Sequence, residues 1–246
     1  MKHWIRILVV GTTLLASAVS QASLVNLSTW QAEGSGLWIT SSDGTSAYQT
    51  SNSPTSILHN NTASQGMLFT GQFGVATSSD DDFFGFVLGY DSGDLTSASA
   101  DYLLIDWKQN SQSAFGGQSK RGLSISRVSG VATDANLWLH SGSVTELQRA
   151  AVRGNSGWGD NQFYNFELLF TANLVELTIN GVKEISLAGS FNNGGVGFYS
   201  QSQEHATYRN LTSTVLQPVT GQVPEPSSLA ILALMLVGLS VSRRNA

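Results

Sequence analysis

The chain contains no cysteine. Disulfides, thiolate metal sites and cysteine nucleophiles are therefore all excluded, and a domain without them must rest on its core and on any ions it binds. Charge is sparse as well, with 12 basic and 17 acidic residues among 246. With 41% hydrophobic residues, that profile belongs to a globular chain rather than a disordered one. No fixed-period repeat is present, which excludes solenoids and propellers. No Gly-x-x-x-x-Gly-Lys loop is available to cradle phosphate, and no EF-hand spacing occurs. The segment Gly154-Asn155-Ser156-Gly157-Trp158 misses the second glycine of a serine-hydrolase elbow. A glycosidase needs two carboxylates about 5–9 Å apart across the scissile bond. Glu167, Glu176 and Glu184 fall on different predicted elements, with no acidic motif around any of them. The sequence thus points away from an enzyme.

Long hydrophobic runs are also missing, but a short one lies at each end. Lys2 and Arg6 flank the start of an apolar stretch from Ile7 to Leu15, and Ser20-Gln21-Ala22 sets small residues where a signal peptidase reads them. This is the layout of a signal peptide over 1–22, cleaved after Ala22, and it is too brief for a membrane anchor. At the other end, Val223-Pro224-Glu225-Pro226 precedes an apolar run from Leu229 to Val241, closed by Arg243 and Arg244. The prolines forbid regular helix ahead of the run. As a single helix the run would span only ~20 Å, against a hydrocarbon core of about 30 Å. Arg243 and Arg244 favour the cytoplasmic side, which leaves everything before Pro224 outside the cytoplasm.

This triplet, apolar helix (229–241) and basic end (243–244) closely resemble the PEP-CTERM sorting signal. The resemblance implies recognition by an exosortase-type membrane protease in a Gram-negative host that makes exopolysaccharide. It also implies transient anchoring in the inner membrane, then cleavage near Pro224 and delivery to the cell surface or extracellular matrix. The tail, 218–246, is an address or tether and stands apart from the folded core.

Between the two signals, 23–217 is long enough for one domain with a sizeable core. Setting aside Lys2, Arg6, Glu225, Arg243 and Arg244 leaves 8 basic and 16 acidic residues, a net charge of −8. Such a surface repels nucleic acid and suits cations or neutral glycans; solubility alone is the commoner reason for it.

Strand signals dominate this region. Ser41 to Ser64 reads as loops around one or two short strands. Phe69, Gly71, Phe73 and Val75 alternate with small or polar residues, and Phe84 to Tyr90, Tyr102 to Trp107 and Leu123 to Ile125 are further strand-forming runs. Tyr164, Phe166, Leu168 and Phe170 recur with period two, as do Val175, Leu177 and Ile179. Asn180-Gly181 between such runs predicts a type I′ hairpin turn. Val196 to Ser200 and Ala206 to Leu211 are the last strands. One short helix is expected over Val144 to Val152, capped by Thr145. Many short strands punctuated by Gly, Ser and Asn predict an all-β sandwich.

At 80–90 the sequence reads Asp-Asp-Asp-Phe-Phe-Gly-Phe-Val-Leu-Gly-Tyr. This stretch resembles the C-terminal domain of thrombospondins, with an acidic triplet before an aromatic, glycine-containing strand. The likeness continues, in the family's order, at Asp106-Trp107-Lys108-Gln109, Leu137-Trp138-Leu139-His140, Gly157-Trp158 and Gly197 to Glu204. It spans roughly 66–211. It implies a lectin-like, concanavalin-type jelly-roll β-sandwich, similar to legume lectins and laminin G modules. It also implies calcium binding and adhesion or matrix interaction without catalysis. The segment 91–101 looks longer than the family's loop, and the family's upstream calcium-rich repeats are absent.

Asp80, Asp81 and Asp82 are the leading metal candidates. Adjacent carboxylates raise one another's pKa unless a cation is present, and calcium takes about 6–8 oxygen ligands. From spacing alone a solvated acidic loop is the simpler reading; the family likeness tips the balance toward Ca2+. In extended chain Asp80 and Asp82 project to one side and Asp81 to the other. Asp106 is either a further ligand or a strand residue paired with Lys108. Trp107, Trp138 and Trp158 either stack on sugar rings or fill the core, which is the commoner place for tryptophan. His140 and His205 lack partners at metal-ligand spacing and read as structural. The expected partners are the sorting protease and an extracellular polysaccharide or a matrix or surface protein.

Overall fold

The computed structural model describes residues 21–216. Within them Ala22 is exposed coil, and no helix is long and apolar enough to cross a membrane. The rest of the expected signal peptide, Val223 to Pro226, the run 229–241, Arg243 and Arg244 lie outside the described residues.

The strands are β1 (Ser23–Leu24), β2 (Gln31–Gly34), β3 (Trp38–Thr40), β4 (Ser46–Gln49), β5 (Ser56–His59), β6 (Met67–Val75), β7 (Phe83–Tyr90), β8 (Asp101–Lys108), β9 (Gln112–Ala114), β10 (Gly117–Ser119), β11 (Gly122–Ser129), β12 (Val144–Arg149), β13 (Gln162–Phe170), β14 (Leu174–Ile179), β15 (Val182–Ala188), β16 (Gly195–Gln201) and β17 (Ala206–Val215). One helix, α1 (Asp134–Leu139), lies between β11 and β12. The first sheet has the order β15-β14-β13-β6-β17-β4-β3, with β1 added to β17; the second has the order β12-β11-β8-β7-β16-β5-β2. All pairings are antiparallel, and β9 and β10 form a separate hairpin. The result is the expected all-β, lectin-like jelly-roll sandwich.

Period-two patterning builds the first sheet. Tyr164, Phe166, Leu168 and Phe170 of β13 are buried while Asn165 and Glu167 are exposed. β14 shows the same alternation. One face of the sheet therefore meets the core and the other meets water. The second sheet differs, because every residue of β7 and β16 is buried. One of its faces packs against the first sheet through Phe84, Phe86, Ile105, Trp107 and Phe198. Its other face holds a second apolar cluster that includes Phe83, Val87, Tyr102, Leu104, Leu137, Trp138 and Tyr199. Each such side chain contributes about 1.5–3 kcal/mol on burial.

Tyr208 ties the sheets together. Its ring stacks on Phe198 at 3.9 Å, and its buried hydroxyl accepts from the Gly85 N–H at 3.0 Å and donates to the Gly85 carbonyl at 2.5 Å. Only glycine fits at that point of β7, since a Cβ would lie 2.0 Å from the Ile105 carbonyl oxygen. At the tip of the β14–β15 hairpin, Asn180 and Gly181 have φ of +49° and +78°, as the type I′ turn requires.

The helix expected over Val144 to Val152 is a correction: Val144–Arg149 is β12, an edge strand paired with β11. Thr-Glu-Leu-Gln-Arg has good helix formers, yet pairing with the sheet overrides local propensity. The helix forms ten residues earlier, where Thr133 and Asn136 make a reciprocal capping box.

Asp106 is the second correction. It is fully buried, accepts from Ser124 Oγ at 3.1 Å, and pairs with His140 Nε2 at 2.8 Å. It therefore belongs neither to Lys108 nor to the acidic triplet; it pins the C-terminal end of α1 to β8. Glu146, itself held at about 2 by His140 and Arg149, faces the other ring nitrogen. Burial works to lower the His140 pKa, but Asp106 and Glu146 outweigh it and push the imidazole up to about 10.

Two outcomes follow for stability. The His140 contribution is fully present below the unfolded value near 6.5 and is lost as pH rises toward 10. Chemical denaturation between pH 6.5 and 9 should show a decline of about 1–3 kcal/mol, which His140→Asn flattens while lowering the starting value. Gly181→Ala meets no neighbour within 4 Å, so only the positive φ opposes it. The expected loss is about 1 kcal/mol in urea unfolding, whereas Gly85→Ala should abolish the folded protein.

Candidate functional site

The acidic triplet sits where the second sheet ends. Phe83, the first residue of β7, pairs with Lys108 at the end of β8 and with Gln201 at the end of β16. Four loops converge there. The Asp82 N–H donates to Gln203 Oε1 at 2.8 Å, Asn52 Nδ2 donates to Asp80 Oδ2 at 2.6 Å, Gln112 Nε2 donates to Asp81 Oδ1 at 2.5 Å, and Ser202 Oγ donates to Asn52 Oδ1 at 3.2 Å.

One oxygen from each of Asp80, Asp81 and Asp82 can be chosen so that all three lie within 4.8 Å of one another. Burial, together with the Asp82 and Asp81 charges, pushes the Asp80 carboxyl up to about 6. The only cation against the triplet among the described residues is Lys108, which is fully buried and ion-paired with Asp82. Its ammonium also donates to Gln112 Oε1 at 2.5 Å and lies 4.1 Å from the Trp138 ring centroid and 4.7 Å from that of Phe83. Burial drives the Lys108 pKa down, and the Asp82 carboxylate beneath the loop opposes that shift. Three carboxylates against one ammonium leave an excess of negative charge. Their hard oxygen donors suit a cation such as calcium. The Asp80 and Asp82 carboxyls are also in side-chain hydrogen-bond contact with each other.

The three tryptophans do not behave alike. Trp107 and Trp158 lie in the core between the sheets, with their N–H groups given to the Ser156 and Asp82 carbonyls at 2.7 and 3.0 Å. Sugar stacking is therefore corrected for these two, since neither ring can reach solvent. Trp138, on α1, is largely buried but borders two surface clefts. Its indole N–H is buried without a hydrogen-bond partner.

One of those clefts went unnoticed in the sequence. It is lined by Asn52, Pro54, Phe115, Asp134, Trp138 and Ser202, among others. Phe115 occupies the tip of the β9–β10 hairpin, 58% exposed, and its ring centroid is 6.0 Å from that of Trp138. The sequence signal was the Phe115-Gly116 pair between two short polar segments. It reads as a turn only once the hairpin is seen. The three glycosidase candidates differ in their settings. Glu184 is buried against Arg153, Glu176 bonds Lys183, and Glu167 is exposed on the outer face of β13.

Comparison with known proteins agrees with this architecture. The family description "Thrombospondin C-terminal region" matches residues 33–216, and "PEP-CTERM protein-sorting motif" matches residues 222–244. Human thrombospondin-3 is 27% identical over 194 residues, covering 71% of this chain and 20% of its own length. Rat cartilage oligomeric matrix protein is 26% identical over 194 residues, covering 71% of this chain and 25% of its own length. The chain thus spans about a fifth to a quarter of the curated relatives it matches. Among solved structures, the carbohydrate-binding module CBM66 of Bacillus subtilis superposes with a TM-score of 0.53 at 10% identity, over 76% of this chain and 95% of that one. The exoplasmic/lumenal domain of VIP36, in its Ca2+/Man3GlcNAc-bound form, gives 0.52 at 10% identity over 83% and 92%. At such identities these two establish the fold alone. On the match across most of its length, the chain belongs to the thrombospondin C-terminal region family and carries a PEP-CTERM protein-sorting motif at its end.

Proposed function

We propose that the protein is an exported, non-catalytic, calcium-dependent binding module of the cell surface or exopolysaccharide matrix, handed over by an exosortase-type system. The observation that carries this reading is the convergence of Asp80, Asp81 and Asp82 at the rim of the second sheet, with a single buried ammonium to balance them. Asp80 and Asp81, with the remaining oxygen of Asp82, would hold the ion. Its charge would favour the ionised Asp80 carboxyl, which burial and then the Asp82 and Asp81 charges oppose. What the chain's own residues do is static. Asn52, Gln112 and Gln203 fix the acidic loop to its neighbours, so that the rim presents one surface instead of several.

Support for a glycan as ligand comes from the lectin-type sandwich, from the sugar-bound form in which VIP36 was solved, and from the carbohydrate-binding role named for CBM66. The acidic balance of the mature region favours a neutral partner over a nucleic acid. A second reading, a structural matrix protein without a defined sugar ligand, draws on the matrix protein among its relatives.

Differential scanning calorimetry of the purified protein in EGTA and in millimolar CaCl2 tests the metal. A single site occupied at about 100 times its Kd adds about 2.7 kcal/mol, so the melting temperature should rise by several degrees. The Asp81→Asn, Asp82→Asn double variant should lose that rise. An unchanged wild-type melting temperature would remove calcium from the account. Glycan binding measured with and without chelator separates the two readings, since self-association without sugar preference favours the structural one.

A further inference from the structure

We infer that the cleft between the β9–β10 hairpin and α1 is the sugar subsite of this module, that Phe115 is its stacking platform, and that it takes an uncharged pyranose. The inference deepens the glycan-binding reading above and rests on it.

Phe115 carries the argument. It has φ of +53°, a conformation that costs a bulky side chain heavily and is common only for glycine, asparagine and aspartate. It is also 58% exposed, so the ring gains little from burial in return. A strained, solvent-facing aromatic at a hairpin tip adds little to stability, and this points to a role outside the fold. The hairpin itself is held from behind. Gln112 of β9 bonds Lys108 and Asp81, Ser119 Oγ of β10 donates to the Gln112 carbonyl at 3.1 Å, and Trp138 sits edge-on to Phe115 over the Lys108 ammonium. The platform is therefore rigid before any ligand arrives.

Around it stand groups that match a sugar's hydroxyls. Asp134 uses Oδ1 to accept from the Thr55 N–H and hydroxyl at 3.1 and 2.8 Å, and its Oδ2 has no partner among the described residues. Asn52 and Ser202 line the same cleft, bonded to one another, and keep a second Asn52 amide hydrogen and the Ser202 lone pairs for a ligand. One apolar face with a few fixed polar groups is how small-ligand sites achieve orientation and specificity. No lysine or arginine lines the cleft, and Asn52 connects it directly to Asp80. The Asp134 carboxylate at the cleft opposes uronates and sulfated sugars, which selects the neutral class. The same Asn52 contact links the sugar cleft to the state of the acidic loop.

Affinity electrophoresis and calorimetry with the purified protein test this, using dextran and galactomannan as neutral probes and alginate as the anionic one. The wild type should bind at least one neutral polymer and not alginate. Phe115→Ala should weaken that binding tenfold or more with the melting temperature held or raised, Phe115→Trp should retain it, and Phe115→Gly should raise the melting temperature while abolishing binding. Equal neutral-glycan binding by the wild type and Phe115→Ala overturns the subsite and leaves the glycan reading intact. Preference for alginate overturns the neutral class. Binding of no probe by a folded, calcium-loaded wild type overturns the glycan reading and this subsite with it.

Discussion

The Lys108 ammonium has no water to face. Asp82, Gln112 and the rings of Trp138 and Phe83 stand where its hydration shell would be. Removing a charge of this kind from water costs several kcal/mol, and only a well-placed partner set recovers it. The geometry at this rim follows from that demand. Asp82 must lie against β8, so the acidic loop cannot lift away. Trp138 must lie over the ammonium, so α1 is drawn down onto the sheet. Gln112 must turn inward, so the hairpin is fixed relative to both. A hydrophobic side chain at 108 would fill the same space without dictating where these three pieces go.

A second anchor, the Asp106–His140 pair, holds the same cover from two residues away on β8. Residues 106 and 108 share a face of that strand, so the sheet offers its cover one carboxylate and one ammonium in a row. The helix supplies the imidazole for the first and the indole for the second. The cover is thus registered by polar contacts at its edge and sealed by Phe83, Leu104, Leu137 and Tyr199 within.

The alternating strands were legible because one face of the first sheet is wet. The period-two signal at 164–170 and the Asn180-Gly181 turn are local properties, readable without knowing any partner. The second sheet was legible only as apolar runs, since burial on both faces removes the alternation. That same double burial hid the roles of the tryptophans. A sequence shows that Trp107, Trp138 and Trp158 are large and apolar, not which of two buried faces each one enters. Val144–Arg149 misled because its residues favour a helix while its position demands an edge strand. The acidic triplet was visible as a run of like charge. Its counter-ion was not, because Lys108 lies 26 residues away and meets Asp82 only across a strand pair. Phe115 escaped notice for a related reason. Nothing in its neighbours distinguishes an aromatic that packs from one held open by a turn.

The last strand has a bearing on how the molecule is held. β17 pairs along β6 until Val215 meets Met67, and the Leu216 N–H donates to the Gly66 carbonyl at 2.7 Å. β6 ends at Val75, just ahead of the acidic loop. Leu216 therefore lies at one pole while the carboxylates stand at the other, roughly 25 Å away at the rise of an extended strand. Force applied to the body at Leu216 would enter along β17 and β6, two interior neighbours of the first sheet, and not at the acidic rim.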